Sequence, residues 1–461
     1  MHVVEQQEGK MKETNSSPTR FRWVVLVLIF AAYMIAGADR ANIGMVVPFI
    51  KDEFKLSNTD IGAMSSLFYI GYAVIQVPIG LIYSKYGVRI IFILAMALTS
   101  ISTFFMGLVN NGFQLKAARV VLGIAEGPIN IGIVSTINRW YPQKEKGFAT
   151  GVFLSSIKFA PAVVPPLCAI IIQAYGWREI FYFFAIPGFV IAALWFWLVR
   201  DNPKDSKYCS QAELNYILTD SAEGGSDSTT SPGTFKSDSR FRLIDKIIRS
   251  RNVEALDTHR KVIFSWNIWA CAFGYLFLVG IAYAIMTWVP TYLIKVKHYS
   301  TLKTGLVAAT PWIGAILGNV LGGWLSDNVF KKRRKPLMLI TSVSTIFTMY
   351  SLLYAPDQMY LLALLLGVCG VFLNLGYSTF LVYPMGIASK DKLPFAASIV
   401  NCMGSVGGAF APFVVGVILD YQGWDWVFTF LALCSVGTLL VVISMIEPFV
   451  INNAGRKKAP A

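Results

Sequence analysis

Residues 23–50 read WVVLVLIFAAYMIAGADRANIGMVVPFI, an apolar run that carries Asp39 and Arg40 side by side in its interior. About 20 apolar residues cross the hydrocarbon core of a bilayer, and a charge at its centre costs roughly 2.5 to 3.5 kcal/mol on insertion scales. A segment that accepts two such charges has a use for them. Runs of similar length follow at 61–83, 89–109, 112–138, 147–174 and 177–199, and six more at 263–290, 304–326, 336–355, 359–386, 394–419 and 425–446. The pattern predicts an all-α integral membrane protein with twelve transmembrane helices in two six-helix bundles.

The expected division is a tail over 1–22, a first bundle over 23–199, a linker over 200–262, a second bundle over 263–446 and a tail over 447–461. The stretch from Ser221 to Ser239, rich in Gly, Ser, Thr and Asp, is expected to be a flexible part of the linker. An internal repeat supports the two halves: Gly62, Gly71 and Gly80 recur as Gly305, Gly314 and Gly323 with a shift of 243. Phe148-Ala149 and Gly176-Trp177 recur as Phe395-Ala396 and Gly423-Trp424 with a shift of 247. A nearly constant offset predicts parallel repeats related by an axis along the membrane normal.

Composition narrows the function classes. With 55% hydrophobic and 14% charged residues, the 461-residue chain is far from the quarter-charged composition of soluble domains. The net charge of +14 would suggest nucleic acid in a soluble protein, but here the basic residues sit between spans and set topology. They cluster at Arg20 and Arg22, Lys85 and Arg89, Arg139 to Lys146, Lys331 to Lys335, Lys390 and Lys392, and Arg456 to Lys458, all on one face if the spans alternate. The positive-inside rule makes that face, and both termini, cytoplasmic in a cell inner membrane. The first span lacks the short apolar core and cleavage site of a signal peptide, so it is expected to be retained. Six scattered cysteines imply neither a disulfide framework nor a metal site. No P-loop is present and no catalytic constellation is seen, so an enzyme is not expected.

Arg119, Glu126 and Lys158 also lie inside apolar spans. At about 1.5 Å of rise per residue, Asp39 lies about 24 Å beyond Trp23 and Arg119 about 10 Å from the opposite end of its helix, so the two reach compatible depths. Glu126 follows Arg119 by two turns on the same face, and Lys158 lies about 17 Å into the fifth helix. The five groups sum to +1 with both carboxylates ionised and +3 with both protonated. Protonation strengthens the attraction for an anion, and by reciprocity a bound anion favours proton binding. We therefore expect Asp39 and Glu126 to carry protons and Arg40 and Arg119 to handle a substrate carboxylate. Lys158 has two open readings, as a partner of Glu126 or as a substrate contact. Helices 7, 8, 10 and 11 offer neutral groups instead, including Tyr275, Tyr283, Asn319 and Asn374, which suit hydroxyls or bond helix to helix.

Several motifs carry a family resemblance. Gly80 to Arg89 (GLIYSKYGVR) resembles the loop between the second and third helices of the major facilitator superfamily, and Gly323-Trp324-Leu325-Ser326-Asp327 resembles its second-half copy. Asp39-Arg40-Ala41-Asn42, Arg119 with Gly123 to Pro128, and Trp140-Tyr141-Pro142 with Glu145 resemble the anion:cation symporter branch. That branch includes galactonate, glucarate and hexuronate permeases and, more distantly, sialin and the vesicular glutamate transporters. Departures from its pattern are Ser84 and Lys85 in the first loop motif, Gly37 where Tyr is common, and Ile157 where many members carry Gln. The resemblance implies transport by alternating access and adds Tyr72, Tyr377, Ser378 and Asn401 as substrate contacts.

The expected function is proton-coupled import of a small organic anion, with a sugar acid (hexonate, aldarate or hexuronate) as the leading class. The expected partners are that anion, protons and the lipid bilayer, with no nucleic acid, no cofactor besides the coupling proton, and a monomeric state. Two alternatives stay open: an organic anion or organophosphate exchanger of the same fold, and a membrane sensor without net flux.

Overall fold

A backbone inside hydrocarbon must satisfy its own hydrogen bonds, which an α-helix does within a single segment. The computed structural model describes residues 19–218, 248–252, 255–331, 333–389 and 391–449. The stretch from Ser221 to Ser239, Lys390, and Arg456 to Lys458 lie outside the described residues. The first six spans are helices α1 (Phe21–Phe54), α2 (Asn58–Tyr86), α3 (Val88–Met106), α4 (Gly112–Trp140), α5 (Gln143–Tyr175) and α6 (Arg178–Leu198). The second six are α7 (Trp266–Lys295), α8 (Thr301–Trp324), α9 (Lys335–Ser351), α10 (Met359–Leu375), α11 (Leu393–Tyr421) and α12 (Trp424–Ser444). Among the described residues, 11 helical segments are long and apolar enough to cross a membrane. Helix α2, with 29 residues, completes the expected twelve.

Helix ends differ from the apolar runs for local reasons. Helix α1 continues past Ile50 through Lys51, Asp52 and Glu53, because helical hydrogen bonding does not stop where apolarity does. Its start is fixed by Glu213, from a short helix over 211–218, whose buried carboxylate accepts from Thr19 Oγ1 at 2.6 Å, Phe21 N at 3.0 Å and Arg22 N at 3.1 Å. A carboxylate there satisfies orphan amides and complements the positive end of the helix dipole. Helix α10 breaks at Gly376, whose carbonyl accepts from both Thr379 N and Thr379 Oγ1, and a short helix, Tyr377–Val382, resumes after it.

The chain groups into two compact units, the first formed by Met1–Asn42, Ile70–Pro161 and Ala174–Thr229, the second by Ile43–Tyr69, Ala162–Gln173 and Thr230–Ala461. In the first unit, α1, α3, α4, α5 and α6 share a core that includes Val25, Ile29, Phe92, Ile133, Phe153 and Trp195. Phe92 stacks on Trp195 with ring centroids 4.0 Å apart.

The sequence repeat has a physical counterpart in each unit. In the first, Asp201, just after α6, accepts from Val88 N at 2.8 Å and Arg89 N at 2.9 Å and so caps α3. In the second, Glu447, just after α12, accepts from Arg334 N at 2.9 Å and Lys335 N at 2.7 Å and caps α9. The two caps are 246 residues apart, inside the range of offsets found from the sequence. Losing one such cap typically costs about 1 kcal/mol. Asp201→Ala is therefore expected to lower the thermal unfolding midpoint of the detergent-solubilised protein, whereas Asp201→Asn, which keeps an acceptor, should lower it less.

Within the second unit, the end of α1 and the start of α2 pack closely on α7 and α11. Asp420 of α11 accepts from Asn58 N at 2.9 Å, Thr59 N at 2.8 Å and Thr59 Oγ1 at 2.7 Å, capping α2. Lys51 donates to Asn58 Oδ1 at 2.5 Å, and Lys295 pairs with Asp52 at 2.5 Å. Ser66 Oγ donates to the Ala409 carbonyl. At Gly416 the backbones approach so closely that a Cβ would lie 2.4 Å from Asn58 O.

Candidate functional site

The charges picked out in the first half are all buried: Asp39 is 1% exposed, Arg119 2%, Glu126 1%, and Arg40 and Lys158 8% each. Helix α1 presents Asp39 and Arg40, α4 presents Arg119 and Glu126, and α5 carries Lys158. Arg40 Nε donates to Glu126 Oε2 at 2.9 Å, and Arg40 Nη2 lies 2.8 Å from the same oxygen. Glu126 Oε1 has no hydrogen-bond partner among the described residues. One carboxylate oxygen thus holds the guanidinium while the other remains an available acceptor.

Arg119 Nη1 donates to the Asp39 backbone carbonyl at 3.2 Å, in keeping with the depths read from helical rise. Asn42 Nδ2 approaches Asp39 Oδ1 at 3.4 Å, and Thr103 of α3 lies beside the same carboxyl. The Arg40 guanidinium lies 5.1 Å from the Tyr72 ring and 5.9 Å from the Tyr33 ring. A cation between two aromatic rings is attracted by their quadrupoles and held in orientation.

Local sequence explains this convergence. At Gly127 a Cβ would meet Ile75 Cγ2 at 2.1 Å and Tyr72 O at 3.2 Å, so its absence lets α2 lie against α4 beside Glu126. Pro128 follows it in α4, and Tyr83 Oη donates to the Pro128 carbonyl at 2.8 Å. Gly37 brings α1 against α5, since its Cβ would lie 2.8 Å from Ala160 Cβ.

Asp39, Arg40, Tyr72, Arg119 and Glu126 are thus brought together in one unit. The ion pair that Glu126 makes is with Arg40, on another helix, and Lys158 is buried on α5 in the same unit. Tyr33, Asn42 and Thr103 are neighbours that the sequence reading did not single out. Tyr33 precedes Arg40 by seven residues, two turns on the same helical face, and that spacing was a usable signal. Asn42 and Thr103 look in sequence like any other small polar residues of a span.

The second unit holds the neutral set. Tyr275 Oη donates to Tyr377 Oη at 2.7 Å, with the rings 5.3 Å apart. Ser378 is half-buried beside Tyr377. Asn401 is exposed and donates to Ala397 O of its own helix at 3.2 Å. Asn374 is buried, donates to Gly370 O at 3.0 Å, and leaves Oδ1 without a partner among the described residues. The Tyr69 and Tyr283 rings meet edge to face at 4.8 Å.

Comparisons with known proteins agree with this architecture. The Probable galactarate/D-glucarate transporter GarP of Escherichia coli (strain K12) is 27% identical over 415 residues, covering 87% of this chain and 88% of that protein. The Hexuronate transporter of Bacillus subtilis (strain 168) is 25% identical over 449 residues, covering 93% of this chain and 96% of that protein. Among solved structures, a bacterial homolog of the human lysosomal transporter Spinster, inward-facing and unoccupied, superposes with a TM-score of 0.69 at 17% identity, covering 93% of this chain and 94% of that one. The family model of the Major Facilitator Superfamily matches residues 29–340 and 302–460. With twelve membrane-length helices and matches that run through both halves, the chain belongs to the Major Facilitator Superfamily.

Proposed function

We propose that this protein is a proton-coupled symporter that imports a small organic anion, a sugar acid, across the cell inner membrane by alternating access. The observation that carries this reading is the buried Arg40–Glu126 pair, with one Glu126 oxygen left over. While Glu126 is ionised it satisfies Arg40, and a substrate carboxylate would have to displace it. Protonation of Glu126 removes that competitor and releases the guanidinium, still oriented by Tyr72 and Tyr33, for an incoming carboxylate. Arg119 adds positive charge at the same level, and Asp39 is the second proton site. By linkage, whatever the proton contributes to anion binding, the anion contributes to proton binding.

Tyr377, Ser378 and Asn401 supply neutral hydrogen-bonding groups suited to the hydroxyls of a polyol body. The relatives named for galactarate, glucarate and hexuronate transport support the same substrate class. The protein acts as a monomer with both termini cytoplasmic, as the distribution of basic connections argues, and it uses no cofactor besides the coupling proton.

Reconstituted vesicles holding a pH-sensitive dye test this reading. Adding a sugar acid outside should acidify the lumen, and an inward proton gradient should drive accumulation of the labelled anion. In Glu126→Gln, gradient-driven accumulation should be lost while exchange of internal for external substrate persists. Full proton-driven accumulation by Glu126→Gln would falsify the coupling role.

A further inference from the structure

At the basic face of the first unit, the ends of α3, α4 and α6 bring Arg89, Arg139, Arg200, Asp201, Trp195 and Thr136 together around a tight, closely packed crevice. Three guanidinium-bearing residues surround one carboxylate, and Arg89 and Arg200 lie close enough to repel each other. Asp201, which caps α3 through Val88 N and Arg89 N and pairs with Arg139 at 3.8 Å, offsets only one of the three positive charges. Among the described residues two buried donors of the lining have no acceptor, the indole N–H of the fully buried Trp195 and Arg89 Nε, while Arg89 Nη2 donates to the Phe196 carbonyl. Buried donors without acceptors are rare in native proteins, so an unpartnered pair beside excess positive charge points to an anionic ligand.

The second unit provides a contrast at the pseudo-equivalent place. There Glu447 caps α9 in the same way, but Lys335 is consumed by the Ile443 and Met445 carbonyls, and strands β1 (Ser250–Asn252) and β2 (Glu447–Phe449) pair beside it. In the second unit the chain itself supplies the acceptors, whereas in the first the basic side chains line a crevice at the surface.

We propose that the crevice binds the phosphate of an anionic phospholipid. Arg89 is in the first turn of α3, Arg139 in the last turn of α4, and Arg200 just beyond α6, which places all three at headgroup level if the helices span the bilayer. The adjoining Phe196 and Trp197 are exposed and apolar, a surface that suits acyl chains and gives a free phosphate ion nothing. Phosphate oxygens accept from the three guanidinium groups and the Trp195 N–H, and the half-exposed Arg139 and Arg200 side chains turn to admit them. This inference stands apart from the proton-coupling reading.

Native mass spectrometry of the purified full chain, with equal amounts of phosphatidylglycerol and phosphatidylcholine, tests it. Phosphatidylglycerol adducts should predominate. Arg200→Gln, which leaves the α3 cap and the Arg139–Asp201 contact in place, should weaken that adduct about fivefold. Lys303→Gln, in the second unit and outside the crevice, should leave it unchanged. Equal retention of the two lipids, or an unaltered adduct in Arg200→Gln, would overturn the site. Stabilisation by millimolar inorganic phosphate that Arg200→Gln abolishes would overturn the lipid as its source.

Discussion

Arg40→Ala is expected to reduce transport to background and to destabilise the protein at the same time. The Arg40 side chain is 10% exposed and its Glu126 partner 0%, so truncation leaves a carboxylate buried without its counter-charge. Breaking a buried pair from one side typically costs about 3 to 5 kcal/mol, most of it the penalty for the charge left behind. The double variant Arg40→Met, Glu126→Gln removes both charges at similar volume and should recover most of that stability, because neutral groups have less hydration to lose. Transport should not recover with it. Thermal unfolding in detergent and uptake in vesicles, measured on wild type, both single variants and the double variant, separate the two effects. Recovery of uptake along with stability would mean that the pair serves only to hold α1 against α4.

The second large effect is expected at Gly416. A Cβ there meets Asn58 O at 2.4 Å and Asn58 C at 3.0 Å, which are backbone atoms that cannot swing aside. Gly416→Val should therefore hold α11 away from the start of α2 and undo the contacts of Asp420 with Asn58 and Thr59. If closure of this seal is one half of alternating access, transport should fall to background while substrate binding persists. In a background whose native cysteines are replaced, the exposed Cys402 included, Ser65→Cys, at a position 3% exposed and next to Ser66, reports on the seal directly. It should resist a membrane-impermeant maleimide in the parent and react in the Gly416→Val background. Protection in both backgrounds would show that the seal closes despite the substitution. Asp420→Ala removes only a cap and a few hydrogen bonds, so a partial loss of transport and an intermediate labelling rate are expected.

Much of the candidate site was legible because a membrane makes charge conspicuous. In a soluble protein five charged residues would be unremarked, whereas in apolar spans Asp39, Arg40, Arg119, Glu126 and Lys158 stand out by their cost alone. Their depths were also legible, since helical rise converts residue number into distance along the bilayer normal. The hydrogen bond from Arg119 to the Asp39 carbonyl agrees with that arithmetic. The neighbours were harder to find. Tyr33 could have been read from its seven-residue spacing, while Thr103 reaches Asp39 from a helix whose rotation no local pattern reports.

The sequence by itself determined that the chain is helical and membrane-spanning, that it has two related halves, and which charged residues are buried at which depth. These follow from transfer energies, helical geometry and a repeated pattern, all of them local or additive along the chain. Only the tertiary structure decided that Arg40 pairs with Glu126, that Tyr72 lies against the same guanidinium, and that Ile43–Tyr69 packs with the second unit. The reason is that rise per residue fixes height but not rotation about the helix axis or the choice of neighbour. Those are set by close backbone approaches such as Gly127 to Tyr72 and Gly416 to Asn58, where the absence of a side chain acts only once the opposite helix is present.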